Sequence, residues 1–407
     1  MTEIKGGVCA PKGFLAGGVS CSIKKGSTKK DLALIYSKSL CSAAAMFTKN
    51  KVKAASVVLS QANTADGKLR AIIANSGNAN ACTGQEGIAA AKRMAALAAD
   101  NLLISPSEVA VASTGVIGVP LPIEKIEENI NALKADLRSD AAGHDAALEA
   151  IMTTDIRKKD AAVEIEIGGF PVRIGAMVKG SGMIHPNMAT MLCFITTDAA
   201  ILPSVLDANL KRAVSRSFNR VTVDGDTSTN DMIVVMANGE AGNPPITGTD
   251  GENEYFYAAL EYVCISLARQ MARDGEGATK LVTVTVKGAQ SEEKAAVFAK
   301  FVAASSLVKA ACFGADANWG RVLCALGYSG EDFDPDKTSV SFKSVRGEIE
   351  VCNKGQTSNF SEEKAKEILL QEEIEIIINL IDGKESASVW GCDLTYDYVK
   401  INGDYRS

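Results

Sequence analysis

Histidine is nearly absent: among 407 residues only His144 and His185 could supply an imidazole. This excludes His-rich zinc sites and the H-E-x-x-H signature, and leaves little room for a histidine-based triad. The ten cysteines include no C-x-x-C pair, and Cys193, Cys264 and Cys324 lie inside apolar runs, as reduced, buried thiols do. No disulfide and no metal are therefore expected. No apolar run approaches membrane-spanning length, and Met1-Thr2-Glu3-Ile4-Lys5-Gly6-Gly7 lacks the basic region and apolar core of a secretory signal, so a cytoplasmic protein is expected. A net charge of −6 without a basic block argues against nucleic acid or an anionic membrane as partner. Walker A is missing, Gly180-Ser181-Gly182 lacks the third glycine of a dinucleotide fingerprint, and no cofactor is expected.

What remains is a globular chain, 46% hydrophobic and 23% charged, long enough for two domains. Short β-prone runs at 19–24, 32–36, 43–47 and 55–59 precede the strand 69–74. Thr83 and Glu86 have capping-box spacing before an Ala-rich helix over 87–103. A strand over 109–112, helices over 123–137 and 146–152, and a hairpin turning at Gly168-Gly169 follow. Beyond them come a helix over 205–218, a strand over 233–236 and an amphipathic helix over 255–271, with Tyr255 and Tyr262 on its apolar face. After the strand 281–286, the polar run 289–293 reads as a boundary before a helix over 295–311. Strands at 340–343 and 348–352, a helix over 362–371 and a strand over 373–380 complete a smaller α/β unit. The aromatic tail 390–407 reads as docked.

Three places carry chemistry-bearing residue types. The stretch Lys179-Gly180-Ser181-Gly182-Met183-Ile184-His185-Pro186-Asn187-Met188-Ala189-Thr190 is a glycine-rich loop entering a buried strand at a threonine. Were the Ala189–Thr190 bond cut, the freed α-amine of Thr190, with a reference pKa of about 7.7–8.0, would serve as base to its own hydroxyl. From the residues alone a loop-to-strand junction without chemistry is favoured, since strands start with threonine constantly. The strand end Ser113-Thr114-Gly115 can leave N–H groups aimed into a cleft, as an oxyanion hole requires, although an ordinary glycine turn is the commoner use of Thr-Gly. Glu276, flanked by Gly275 and Gly277, is either solvated or a binder of a cationic group. Asp224-Gly225-Asp226-Thr227-Ser228-Thr229-Asn230-Asp231 fails the EF-hand spacing and reads as a turn closed by its own side chains.

Taken together, the segments 75–84, 113–118, 179–192, 221–231, 314–321 and 390–407 resemble the ornithine acetyltransferases of arginine biosynthesis, also called glutamate N-acetyltransferases. The resemblance implies an α/β (α+β) protein with an αββα sandwich core over 1–288, a smaller α/β domain over 289–389, and the tail 390–407 docking at the active site. It implies self-cleavage between Ala189 and Thr190 into an α chain 1–189 and a β chain from 190, assembled as α2β2. Thr190 matches the nucleophile, and Thr114 and Gly115 match the oxyanion hole. Thr153, Lys179, Thr190, Glu276, Asn402 and Ser407 match the substrate-binding positions, with Thr154 fitting nearly as well as Thr153. The implied reaction moves an acetyl group from N2-acetyl-L-ornithine to L-glutamate without a cofactor, and some members also use acetyl-CoA. Two other readings stay open on the residues: an amidohydrolase or aminopeptidase releasing the acyl group to water, and an amino-acid binding protein that is never cleaved.

Overall fold

The computed structural model describes residues 1–24, 26–184, 191–248 and 251–404. The chain divides into two compact units: Met1–Gly180 with Asn187–Asn219 and Thr227–Leu267, and Ser181–Pro186 with Arg220–Asp226 and Ala268–Ser407.

The first unit contains β1 (Thr2–Glu3), β2 (Phe14–Val19), β3 (Leu32–Phe47), α1 (Ala55–Asn63), β4 (Lys68–Asn75), α2 (Gly84–Leu102), β5 (Val109–Ser113), α3 (Ile123–Ala135) and α4 (Ala141–Ile151). It continues with β6 (Asp160–Ile167), β7 (Phe170–Lys179), β8 (Leu192–Thr197), α5 (Pro203–Arg216), β9 (Met232–Ala237) and most of α6 (Gly251–Arg273). Nine strands form one sheet in the order β1-β6-β7-β8-β9-β3-β4-β5, with β2 on β3. Strand β3 is the pivot: Leu32–Tyr36 pairs with β2 and β4, and after a register shift Ser42–Phe47 pairs with β9.

Period-2 alternation then sorts the side chains into layers. Ala33, Ile35, Ile72 and Ala112 share one buried cluster with Met177, Phe194, Val234 and Met236, so the two halves of the sheet face each other. Their alternating neighbours Leu34, Ile73 and Val111 pack on Met94 and Leu97 of α2 and on Ile126 and Leu133 of α3. On the far face of β8, the buried Cys193 is within electrostatic reach of the buried Cys264 of α6. The result is helix, sheet, sheet, helix: an αββα sandwich.

The second unit carries β10 (Leu281–Ala289), α7 (Glu292–Ala304), α8 (Ser306–Phe313), α9 (Trp319–Gly327), β11 (Ser339–Ser344), β12 (Gly347–Asn353), β13 (Gln356–Thr357), α10 (Glu362–Leu369), β14 (Glu373–Asn379), β15 (Glu385–Cys392) and α11 (Tyr396–Gly403). Its sheet runs β13-β12-β11-β14-β10-β15. Strand β10 sits between β14 and β15, so the polar run 289–293 joins strand to helix within this unit and is not a domain boundary.

Several local expectations are corrected. Residues 55–59 open helix α1, because Ala55, Ser56, Val57 and Ser60 bury one helical face and the chain continues through Gln61 and Ala62. Thr83 does not cap α2: Cys82 and Gly84 at φ 59° and 58° turn its hydroxyl to donate to Asn80 Oδ1. The single helix expected over 295–311 breaks at Ser305, whose extended backbone lets its hydroxyl accept from the Val308 N–H and start α8 at 61° to α7. Tyr255 and Tyr262 face outward, 68% and 38% exposed, because Phe256, Val263 and Leu267 define the buried stripe of α6. Among the described residues no single helix is long and apolar enough to cross a membrane.

Candidate active site

Strands β4 and β5 run parallel and end side by side at Asn75 and Ser113. Beyond that point the Thr114 N–H donates to Asn75 O at 3.0 Å. Gly115 follows at φ 134°, where a Cβ would lie 2.3 Å from the Gly77 carbonyl carbon, so only glycine lets the two loops touch. The Gly115 N–H has no hydrogen-bond partner among the described residues. Asn230 fixes this loop from the other side, its amide donating to Ala79 O at 2.6 Å and Ser113 O at 2.7 Å.

Strand β7 delivers Lys179, 6% exposed, whose Nζ donates to Thr114 Oγ1 at 3.3 Å. The next amide, Gly180 N–H, donates to Asp155 Oδ1 at 2.7 Å, and the Thr153 N–H donates to Asp155 Oδ2 at 3.0 Å. Lys159 Nζ lies 2.7 Å from the same carboxylate, with both side chains fully buried. Burial alone would raise the Asp155 pKa, but the Lys179 and Lys159 ammonium groups, with hydrogen bonds from Lys159 and Thr153, outweigh it and hold it at about 2. An ionised Asp155 thus ties together two expected substrate positions, Thr153 and Lys179.

Strands β8 and β9 are parallel, and Met191 N–H donates to Asp231 Oδ1 at 3.0 Å. Asp231 is 2% exposed, and among the described residues its Oδ2 makes no hydrogen bond. Burial pushes this carboxyl well above the usual range, against the pull of the Met191 N–H, the Ser228 and Thr48 hydroxyls and the Lys179 charge.

In the second unit, Glu276 is 7% exposed and its N–H donates to Ser181 O at 2.9 Å. Asn402, on α11, donates from Nδ2 to Glu276 Oε2 at 2.9 Å. Gly182 lies so close that a Cβ there would be 2.2 Å from a Glu276 carboxylate oxygen. Asp224 accepts the Met183 and Ile184 N–H groups at 2.6 and 2.7 Å and the Tyr398 hydroxyl at 3.3 Å. Burial raises the Asp224 carboxyl, and burial together with the Asp224 charge raises the Tyr398 phenol.

The structure therefore brings Lys179 to Thr114 and, through Asp155, to Thr153; separately it brings Asn402 to Glu276. Ala189, Thr190 and Ser407 lie outside the described residues. Sequence reasoning passed over Asp155, Lys159, Asn230 and Asp231 as functional residues. The loop 224–231 does close on its own side chains, Asp226 N–H on Asp224 and Asn230 N–H on the Ser228 hydroxyl, but its last two residues also reach across strands. Among the described residues no group of three or more His, Cys, Asp or Glu could hold a metal ion.

The ArgJ family profile matches residues 15–407. The arginine biosynthesis bifunctional protein ArgJ of Symbiobacterium thermophilum is 54% identical over the whole of both chains. That of Clostridium acetobutylicum, ArgJ 1, is 52% identical over 97% of this chain and 96% of its own. The crystal structure of the arginine biosynthesis bifunctional protein of Bacillus halodurans, 46% identical, superposes with a TM-score of 0.50 over 52% of this chain and 97% of that one. With a family profile and relatives both running the length of the chain, it belongs to the ArgJ family of arginine-biosynthesis acetyltransferases.

Proposed function

We propose that the chain cleaves itself between Ala189 and Thr190 and then transfers an acetyl group from N2-acetyl-L-ornithine to L-glutamate by a ping-pong reaction on Thr190. The Thr190 hydroxyl adds to the acetyl carbonyl while its α-amine takes the proton. Collapse expels the ornithine nitrogen, which receives that proton, and leaves an acetyl ester on Thr190. The amine of glutamate then attacks the ester, forming N-acetyl-L-glutamate and restoring the hydroxyl.

The observation that carries this reading is the Gly115 N–H, without an acceptor among the described residues and next to a Thr114 hydroxyl held by Lys179. Two such donors suit an oxyanion that exists only in the transition state. Lys179 is assigned to the α-carboxylate common to both substrates, and Glu276, buried and steadied by Asn402, to the ornithine side-chain ammonium. Thr153 and Ser407 are assigned further substrate contacts from the family resemblance. Supporting cleavage, the Bacillus halodurans chain is covered almost end to end yet spans only 52% of this one, as a fragment starting near Thr190 would. The two fragments are proposed to assemble as α2β2. The word bifunctional in the relatives' names favours a second acetyl donor, for which we propose acetyl-CoA.

Denaturing gels and quenched mass spectrometry test this. The wild type should run as two fragments and Thr190→Ala as one, and acetylornithine should leave an acetyl group on the peptide beginning at Thr190. Ornithine release that proceeds equally without glutamate would replace the transferase by a hydrolase.

A further inference from the structure

We infer that Asn230 is a positioning residue for the Gly115 N–H: its side-chain amide closes a ring of hydrogen bonds around that residue and fixes the direction of the donor. This rests on the oxyanion role proposed for Thr114 and Gly115. One Nδ2 hydrogen of Asn230 goes to Ser113 O at 2.7 Å, two residues before Gly115, and the other to Ala79 O at 2.6 Å. Ala79 in turn donates its own N–H to Val116 O at 3.0 Å, one residue after Gly115. From the amide, the ring runs through Ser113, Thr114, Gly115 and Val116 to Ala79 and back, so both ends of the Gly115 turn hang on one side chain. Within it, the Thr114 N–H donates to Asn75 O at 3.0 Å and the Val116 N–H to Gly77 O at 3.5 Å. The Gly115 N–H between them has no partner among the described residues.

Asn230 is itself held on every side. The Ala54 N–H donates to Thr229 O and the Thr48 N–H to Asp231 O, each at 3.0 Å, and the Asn230 N–H donates to the Ser228 hydroxyl at 3.1 Å. Its Oδ1 accepts the Thr229 hydroxyl, so the amide cannot turn over without losing that bond and both Nδ2 bonds together. At 5% exposure it does this without competition from solvent. An oxyanion donor works by being aimed before the charge appears, and a displacement of about 1 Å can lower a rate by about 100-fold. A loop clamped before and after the one N–H that it leaves unbonded has the rigidity this requires.

The test compares two buried asparagines in the full-length chain. Asn243, 4% exposed, likewise donates from Nδ2 to two carbonyls, Pro244 O at 2.8 Å and Ala200 O at 3.3 Å, but lies outside the ring. Asn230→Ala and Asn243→Ala should both lower the melting temperature. Only Asn230→Ala should speed deuterium exchange at the Ala79 and Thr114 amides and lower kcat for acetyl transfer by about 10- to 100-fold, with KM within about twofold of wild type. Counting kcat per chain that runs as the wild type does on a denaturing gel keeps a processing defect apart from a catalytic one. Should no such chain form, Asn230→Ser, which keeps a single donor, takes its place. Unchanged exchange at the two amides, an equal loss of kcat in both variants, or a raised KM with kcat spared would overturn the role of Asn230 and leave the oxyanion reading standing. Faster exchange with wild-type kcat and KM would remove the oxyanion reading of Gly115, and this inference with it.

Discussion

Asp155 and Lys159 form an ion pair sealed from solvent, Nζ to Oδ1 2.7 Å, with side chains 0% and 1% exposed. The pair leaves Asp155 enough acceptor capacity for the Gly180 and Thr153 N–H groups, so one carboxylate fixes the end of β7 and the turn after α4 together. A buried pair is weak evidence for net stability, but removing one partner strands the other charge.

Asp155→Asn should therefore destabilise the protein by about 3–5 kcal/mol near neutral pH. The sign of the pH dependence follows from its folded pKa of about 2, below the ordinary carboxylate value of 3.8. Stability from this ionisation is fully present above about pH 4 and is lost as pH falls toward about 2. Urea midpoints of wild type and variant should converge across that window. A constant gap between them would mean that the ionised form is not what stabilises the fold.

Leu103 ends α2 in the left-handed conformation, φ 57° and ψ 49°, its N–H donating to Ala99 O, with 88% of the residue exposed. A leucine there strains the backbone and buries almost nothing in return. Leu103→Gly should raise stability by about 1 kcal/mol, read as a higher melting temperature with unchanged kinetics. An unchanged or lower melting temperature would refute the strain argument.

How far the sequence foretells the structure depends on how local each signal is. The alternation of β3, β4 and β8 and the Ala-rich face of α2 show in the residues, because burial repeats every two or every 3.6 positions. Residues 55–59 mislead, since so short an apolar run is too little to tell a strand from the start of a helix. At the site, Lys179 and Thr114-Gly115 stand out because each closes a strand. Asp155 and Asp231 do not: one sits after two threonines and the other ends a polar loop, and their value comes from partners on β7 and β8. Only pairing between distant strands, which no spacing encodes, places them.

Gly182 touches Glu276 through its bare Cα, and its φ lies outside the left-handed region, so alanine is compatible with the backbone and only displaces the carboxylate. If Glu276 holds the ornithine ammonium, Gly182→Ala and Glu276→Gln should both raise KM for N-acetylornithine by about 10- to 100-fold, the loss of a charge-assisted hydrogen bond of about 1.5–3 kcal/mol. KM for glutamate, which lacks that ammonium, should rise less. Equal increases for both substrates would assign Glu276 to a group they share.

Thr114 and Lys179 touch each other at 3.3 Å yet should fail in different ways when altered. An oxyanion donor meets its charge only in the transition state, so Thr114→Val, which removes the hydroxyl and keeps the branched shape, should lower kcat by about 10²–10³ and leave KM nearly unchanged. A group binding the α-carboxylate meets it before, during and after reaction, so Lys179→Met should raise KM for both substrates with a smaller effect on kcat. Steady-state kinetics separates the two roles. If Thr114→Val raised KM and spared kcat, the hydroxyl would be orienting Lys179, and the Gly115 N–H would be left as the oxyanion donor.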